Sequence, residues 1–149
     1  MITLRPATAN DQNVIRQLIK EGEINPFGLD WRRFIVAQDA NGVVVGCGQL
    51  KPHGKHTIEL ASIAVTRSYR KQGISRQIIT YLQMQHTPPI WLMCGSHLEP
   101  FYELFGFERV YQIEQMPRYF RRIARLMGFF GRFTNPSNSL AIMVWQNER

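Results

Sequence analysis

Two spacings of hydrophobic residues alternate along the 149-residue chain, and each predicts a different kind of element. Apolar residues three or four positions apart predict helices; such spacing occurs at residues 10–22, from Ile74 to the Pro88-Pro89 pair, and from Leu98 to Phe105, where Gly106 follows as a stop. Short runs rich in β-branched residues predict strands. These runs lie at residues 2–5, 34–37, 43–50, 57–65, 90–94, 107–115 and 139–146.

The order of these elements predicts the fold class. Turns at residues 39–42 and 52–55 join three consecutive strands, whereas the unit from Thr57 to Cys94 has a helix between its two strands. Strands joined in that way pair in parallel. The sequence therefore predicts an α/β fold with a mixed sheet flanked by helices, in one domain over residues 1–149. The strand-helix-strand unit is expected to hold the site, and residues 116–138 form an insertion with a helix of its own.

The composition is that of a globular chain, with 44% hydrophobic and 19% charged residues. The net charge of +7 comes from two stretches, residues 60–98 and 115–147, that contain no acidic residue. A few arginines gathered at two places favour a phosphorylated small molecule or an anionic surface over nucleic acid as the partner.

The cysteine spacing and the N-terminus predict a cytoplasmic protein. Cys47 and Cys94 lie far apart with no CxxC motif, so neither a zinc site nor a disulfide framework is expected, and both thiols should be reduced and buried. The N-terminus has no basic region before an apolar core, and the longest apolar run, Leu140–Trp145, is far too short to cross a membrane.

The most informative stretch is the segment Arg70-Lys71-Gln72-Gly73-Ile74-Ser75, which opens a helix directly after a strand. Gly73 leaves room for a close ligand, and the first amides of a helix carry partial positive charge that favours an anion. Arg76 adds a further cation. Neither standard nucleotide motif fits, because GxxxxGK[ST] is absent and Gly46-Cys47-Gly48 has Lys51 where GxGxxG requires glycine.

This segment resembles the acyl-CoA motif of the GNAT (Gcn5-related) N-acetyltransferases, [Q/R]-x-x-G-x-[G/A]. Arg70, Gly73 and Ser75 occupy its defined positions, with serine in place of glycine or alanine. Residues 101–107, Phe-Tyr-Glu-Leu-Phe-Gly-Phe, resemble the second signature of the family at the expected distance. The resemblance covers most of the chain, and only residues 116–138 have no counterpart.

The resemblance implies a GNAT-like fold, with a mixed, mostly antiparallel sheet flanked by helices and an acyl-CoA-binding β-loop-α unit. It also implies acetyl-CoA as co-substrate without a metal, and direct transfer of acetyl to a primary amine in a ternary complex. It places the pantetheine arm beside the backbone of Ile63, Ala64 and Val65. The pyrophosphate is then expected on the loop and helix start, formed by Arg70, Lys71, Gln72, Gly73, Ile74, Ser75 and Arg76.

Two residues match catalytic positions of the family. Glu59 matches a glutamate that serves as base, although a carboxylate on this strand is equally consistent with a surface group facing Lys55 or Arg67. Tyr102 matches the family tyrosine that protonates the CoA thiolate. A phenol suits that step because its pKa, about 10, is close to the pKa of a thiol. The alternative for Tyr102 is a packing role, and His97 is a candidate substitute acid or base.

The insertion forms an amphipathic basic helix. Its apolar face comprises Tyr119, Phe120, Ile123, Leu126, Met127 and Phe130, and its basic face comprises Arg118, Arg121, Arg122, Arg125 and Arg132. Packing against the sheet or a second subunit is the first expectation. Recognition of an acidic acceptor or the CoA 3′-phosphate comes next, then an anionic membrane surface through residues 117–133, and nucleic acid last. Phe129, Phe130 and Phe133 suggest a homodimer.

Two other function classes remain open beside the enzyme. One is a non-catalytic acyl-CoA-binding or sensing module, and the other is a peripheral membrane or partner-binding protein. The acceptor amine is expected to be selected by residues 24–31 and 116–138, and it ranges from a small molecule to a peptide N-terminus or a lysine. The positive insertion disfavours a polyamine.

Overall fold

A computed structural model describes residues 1–130 and 139–146, and these residues divide between two compact units. The first unit comprises residues 1–51 and 60–86; the second comprises residues 52–59 and those from Thr87 onward. The strands are β1 (Thr3–Pro6), β2 (Phe34–Gln38), β3 (Val44–His53), β4 (Thr57–Val65), β5 (Ile90–Gly95), β6 (Glu108–Arg109) and β7 (Leu140–Trp145). The α-helices are α1 (Gln12–Glu21), α2 (Ile74–Met84), α3 (Glu99–Glu103) and α4 (Arg118–Phe130).

The sheet order is β1-β2-β3-β4-β5-β7-β6. β4 pairs with β5 in parallel, as predicted, whereas β1–β2, β2–β3, β5–β7 and β6–β7 are antiparallel. The predicted α/β fold with a mixed, mostly antiparallel sheet and flanking helices is confirmed.

The core of the first unit lies between the sheet and α1. The apolar stripe of α1, formed by Ile15, Leu18 and Ile19, is buried with Phe34 and Val36 of β2. Burial of each such side chain stabilises the fold by about 1.5–3 kcal/mol.

Close packing explains the two glycines on β3. A Cβ at Gly48 would lie 2.6 Å from Cγ2 of Ile78 on α2 and 2.7 Å from Cδ1 of Ile63 on β4. A Cβ at Gly46 would lie 3.2 Å from Cδ1 of Ile78. These glycines therefore let α2 approach the strand.

The second unit packs α4 against β5 and β7. Phe120 and Met116 are buried with Trp91, Ile142 and Val144, so the predicted insertion helix covers the sheet, which was the first of its expected roles. Leu126 and Met127, predicted on the same apolar face, are 60% and 46% exposed, so this end of the face does not pack against the sheet. The predictions for Arg132, Phe133 and the side chains of Phe129 and Phe130 lie outside the described residues.

Three predicted boundaries differ from the structure. The strand expected at residues 107–115 is only Glu108–Arg109, because the chain leaves β7 after Val110 and exposes Tyr111. β3 continues through residues placed in a turn and ends at His53. The helix expected at Leu98–Phe105 is α3 alone, and Gly106 closes the turn after it with a φ of +92°.

Cys47 and Cys94 are free and buried, as predicted. No helix within residues 1–130 or 139–146 combines the length and apolar character that a membrane crossing needs. Those same residues include no cluster of three metal-binding side chains.

Asp11 anchors the first helix to the first strand. Its carboxylate accepts two bonds from the Arg5 guanidinium, at 2.8 and 3.1 Å, and one from the Thr8 amide at 2.7 Å. The bonds from Arg5, more than the opposing effect of burial, lower the pKa of Asp11. The ionised carboxylate of Asp11 therefore stabilises the folded state.

Asp11→Asn should lower the free energy of unfolding by about 1–3 kcal/mol near neutral pH, because the charge-assisted bonds are lost. The contribution is present above the pKa of the unfolded carboxyl and is lost as pH falls through the lowered folded value. Wild type should therefore lose this advantage over the variant in acid. Urea unfolding between neutral pH and about pH 3 measures it; Asp30→Asn, at an exposed pair with Arg32, is the control. An advantage that persists unchanged in acid would contradict the assignment.

Candidate functional site

The loop after β4 leaves open space next to the start of α2. Lys71 and Gly73 have left-handed backbones, with φ values of +65° and +80°, and Gly73 is the residue that precedes the helix. No side chain caps this end of α2, whose first helical bond runs from the Gln77 amide to the Gly73 carbonyl. The amides of the first turn therefore point away from the helix, as in anion sites.

Space and charge at the loop suit an anion. A Cβ on Gly73 would meet no atom within 4 Å, so a ligand has room directly over the backbone. Lys71 and Arg76 are exposed, and Arg70 donates from Nε to the Val65 carbonyl at 3.0 Å, which ties the loop to the end of β4. The side chain of Ile74 is buried, so its contribution to a ligand is limited to its amide.

β4 carries a left-handed residue just before the predicted pantetheine segment. Ser62 has a φ of +61° although it is buried within a strand. Its hydroxyl accepts a bond of 2.8 Å from Gln49 Nε2, and Gln49 is fully buried. Strained backbone of this kind persists where surrounding contacts hold it, often beside a functional site. Ile63, Ala64 and Val65 follow directly in β4.

Gln49 also binds the loop that was predicted to select the acceptor. Its Nε2 donates to the Gly28 carbonyl at 3.2 Å, and its Oε1 accepts from Arg33 Nε at 3.3 Å. Lys51 donates to the carbonyl of Phe27 at 2.9 Å, while the Phe27 side chain is 76% exposed. The loop is thus held by its backbone.

In the second unit, Glu59 is buried and bonded to a histidine. Its side chain is 4% exposed, and Oε1 lies 2.7 Å from His53 Nε2. The alternative of an exposed surface carboxylate is therefore wrong. The His53 ring stacks on Tyr119 with centroids 3.5 Å apart and an interplanar angle of 10°, and Phe120 presents an edge at 6.0 Å.

Sequence reasoning missed His53 and its contact with Tyr119. His53 fell in a predicted turn, so its place on β3 and its bond to Glu59 were not foreseen. Tyr119 was assigned only to an apolar face. Burial and then the charge of Glu59 raise the pKa of Tyr119, which keeps its phenol neutral. A histidine and an acid that flank a short turn were the available signal.

Tyr102 lies on α3, partly buried, with the ring of Phe101 at 5.2 Å and that of Phe107 at 6.2 Å. Burial, and to a lesser degree the Cys94 thiol, raise the pKa of Tyr102 to about 12. The phenol therefore keeps its proton throughout the neutral range, but the near match to a thiol expected from sequence is lost. His97 lies in a 3-10 turn and is exposed.

Comparison with solved structures finds the same fold in many acetyltransferases. N-acetylglutamate synthase from Neisseria gonorrhoeae, complexed with coenzyme A and N-acetyl-glutamate, has a TM-score of 0.75 and 18% identity; the alignment covers all of this chain but 36% of the synthase. Rv2747 from Mycobacterium tuberculosis, in complex with CoA, has a TM-score of 0.72 and 22% identity, with 98% and 99% of the two chains covered.

Arabidopsis thaliana NAA60, in complex with a bisubstrate analogue, has a TM-score of 0.67 and 14% identity over 98% of both chains. Identities this low establish the fold alone. This chain spans about a third of the length of the gonococcal synthase. Among curated protein sequences, none matches the chain significantly.

The sequence itself settles the family. Residues 30–109, which are 80 of the 149 residues, match the family described as the Acetyltransferase (GNAT) domain. The match contains the loop before α2, the strand that carries Glu59, and Tyr102. The chain therefore belongs to the GNAT acetyltransferase family.

Proposed function

We propose that the protein binds acetyl-CoA and transfers its acetyl group to a primary amine by direct attack in a ternary complex. The observation that carries the proposal is the uncapped start of α2, with two left-handed residues and exposed cations, in a chain of this family. The CoA present in the gonococcal and mycobacterial structures supports the choice of ligand.

Different residues of the loop and of β4 would contact different parts of acetyl-CoA. The amides of residues 72–76 would receive the pyrophosphate, with charge from Arg70, Lys71 and Arg76, as helix starts do for phosphates. The open space over Gly73 permits that approach. The backbone of Ile63–Val65, next to the strained Ser62, would run beside the pantetheine arm.

The reaction requires proton transfers at two atoms. A lysine-like ammonium has a pKa of about 10.4, so a base must remove one proton before the nitrogen attacks the thioester carbon. The carbon–nitrogen bond forms, the carbon–sulfur bond breaks with its electron pair on sulfur, and the nitrogen loses a second proton. The thiolate takes one proton, and one proton is released overall.

The described side chains can serve both transfers. The base is supplied by the pair formed by the buried Glu59 and the partly buried His53. Tyr102 is the proposed acid, because it occupies the matching position of the family and its phenol holds a proton at neutral pH, although the raised pKa makes the transfer to the thiolate less favourable.

The acceptor is proposed as a small-molecule amine, a peptide N-terminus or a lysine. Glutamate is the first probe, since the gonococcal synthase was complexed with N-acetyl-glutamate. Short peptides with a free N-terminus or a lysine complete the screen. The membrane surface, the homodimer and the cytoplasmic location stay predictions.

Calorimetry should show micromolar binding of acetyl-CoA, retained by desulfo-CoA and weaker for ADP. Arg70→Ala and Gly73→Val should each weaken binding by about tenfold or more, because a charge or the open space is lost. Arg16→Ala, at an exposed position of α1, is the control for charge. Unchanged affinity in both loop variants would show that the loop does not hold the ligand.

Glu59→Gln should lower turnover by about 10²–10⁴-fold with unchanged acetyl-CoA affinity, because the base loses its carboxylate. Thiol release with glutamate or a peptide acceptor measures turnover. Glu114→Gln, at an exposed residue of a 3-10 turn, is the matched control. Binding of acetyl-CoA without turnover in wild type would favour the non-catalytic sensing module.

Tyr102→Phe should lower kcat by about 10²-fold or more without changing the alkaline side of the pH profile. The pKa of about 12 means that wild type does not lose this proton in the assay range. The dependence of kcat on pH, measured for wild type and Tyr102→Phe, tests this prediction. Tyr111→Phe, at an exposed tyrosine, is the control. A decline of wild-type activity between about pH 8 and 10 that is absent from Tyr102→Phe would contradict it.

A further inference from the structure

We infer that His53 is the group that takes the proton from the substrate ammonium, and that Glu59 acts through it as a positioning residue. The inference rests on the proposed function and changes the assignment made from the family position of Glu59. It comes from three side chains of the second unit: Glu59 on β4, His53 at the end of β3, and Tyr119 on α4.

Access separates the two members of the pair. The side chain of Glu59 is 4% exposed, whereas that of His53 is 12% exposed. The Glu59 oxygen that lies 2.7 Å from His53 Nε2 is already engaged with the ring. The imidazole is therefore the more accessible end of the pair.

The bond to Glu59 selects the histidine tautomer. A neutral imidazole that donates Nε2–H to a carboxylate carries its lone pair on Nδ1. In that tautomer Nδ1 can accept a proton, and Glu59 stabilises the imidazolium that results, as the aspartate does in a serine-protease triad. The proton passes from the ammonium nitrogen to Nδ1, and the freed lone pair attacks the thioester.

The groups around the ring suit this role. The titratable groups described against His53 are Glu59 and Tyr119, and Phe120 adds an apolar edge. Tyr119 stays neutral because its pKa is raised, so it adds no second negative charge. Its ring face, 3.5 Å from the imidazole, fixes the plane of His53 and favours a cation there. Helix α4 thus serves the site by supporting His53.

The first test needs no acceptor. Nitrogen NMR of the histidine rings, with His53→Gln to assign the signals, should show neutral His53 protonated on Nε2. In Glu59→Gln the preference for that tautomer should weaken, because the carboxylate that accepts the Nε2 proton is gone. A neutral wild-type ring protonated on Nδ1, or the same tautomer preference in both proteins, would overturn the inference even if no acceptor were found.

The second test compares variants in turnover. His53→Gln can still bond to Glu59 but cannot accept a proton, so kcat should fall by about 10²–10⁴-fold with acetyl-CoA affinity unchanged. His56→Gln, exposed in the adjacent turn, should match wild type. The pH profile of kcat/KM should lose its acidic limb in His53→Gln and keep that limb, at lower overall activity, in Glu59→Gln.

The outcomes separate the two claims. Full activity of His53→Gln, with loss of the limb in Glu59→Gln, would make Glu59 the base and overturn the inference while leaving the proposed function intact. Failure of wild type to bind acetyl-CoA would overturn the proposed function, and the NMR result would still report the state of His53.

Discussion

Glu59 and Trp91 are partners in the parallel pairing of β4 with β5. Parallel neighbours cannot be joined by a tight turn, so the chain needs a long crossover after β4. That crossover contains the left-handed loop and α2, and the helix therefore begins soon after the carboxyl end of a strand, where open α/β sheets commonly bind ligands. The residue of β4 that pairs with Trp91 is thus also the one with the buried carboxylate.

The elements governed by local pattern were predictable. β4 has the bounds that the sequence indicated. Helix α2 begins at Ile74 as predicted and ends at Met84, before the Pro88-Pro89 pair, and its Ile74, Ile78 and Leu82 repeat at helical spacing and are buried. The candidate anion site at the start of α2 was equally predictable, since Gly73 and the neighbouring cations are adjacent in sequence. The structure adds the left-handed backbone at Lys71, a position where no glycine marks the turn.

The long-range features could not be predicted from pattern. The bond between His53 and Glu59 depends on β3 extending past Pro52, a residue that normally indicates a turn. The left-handed Ser62 is held by Gln49 from another strand, and nothing local to Ser62 indicates it. The sequence predicts a strand over residues 107–115, but β6 comprises only Glu108–Arg109. Its pairing with β7 ends there, and that end depends on the partner strand rather than on the local pattern.

The loop at residues 24–31 is held through the carbonyls of Phe27 and Gly28, by Lys51, Arg33 and the buried Gln49. Bonds to carbonyls do not depend on which side chain the residue bears. Substitutions at exposed loop positions such as Phe27 can therefore accumulate during evolution without disturbing the strand that Gln49 also supports. Under the proposed function, such substitutions would change which amine is accepted and leave the loop proposed for acetyl-CoA untouched.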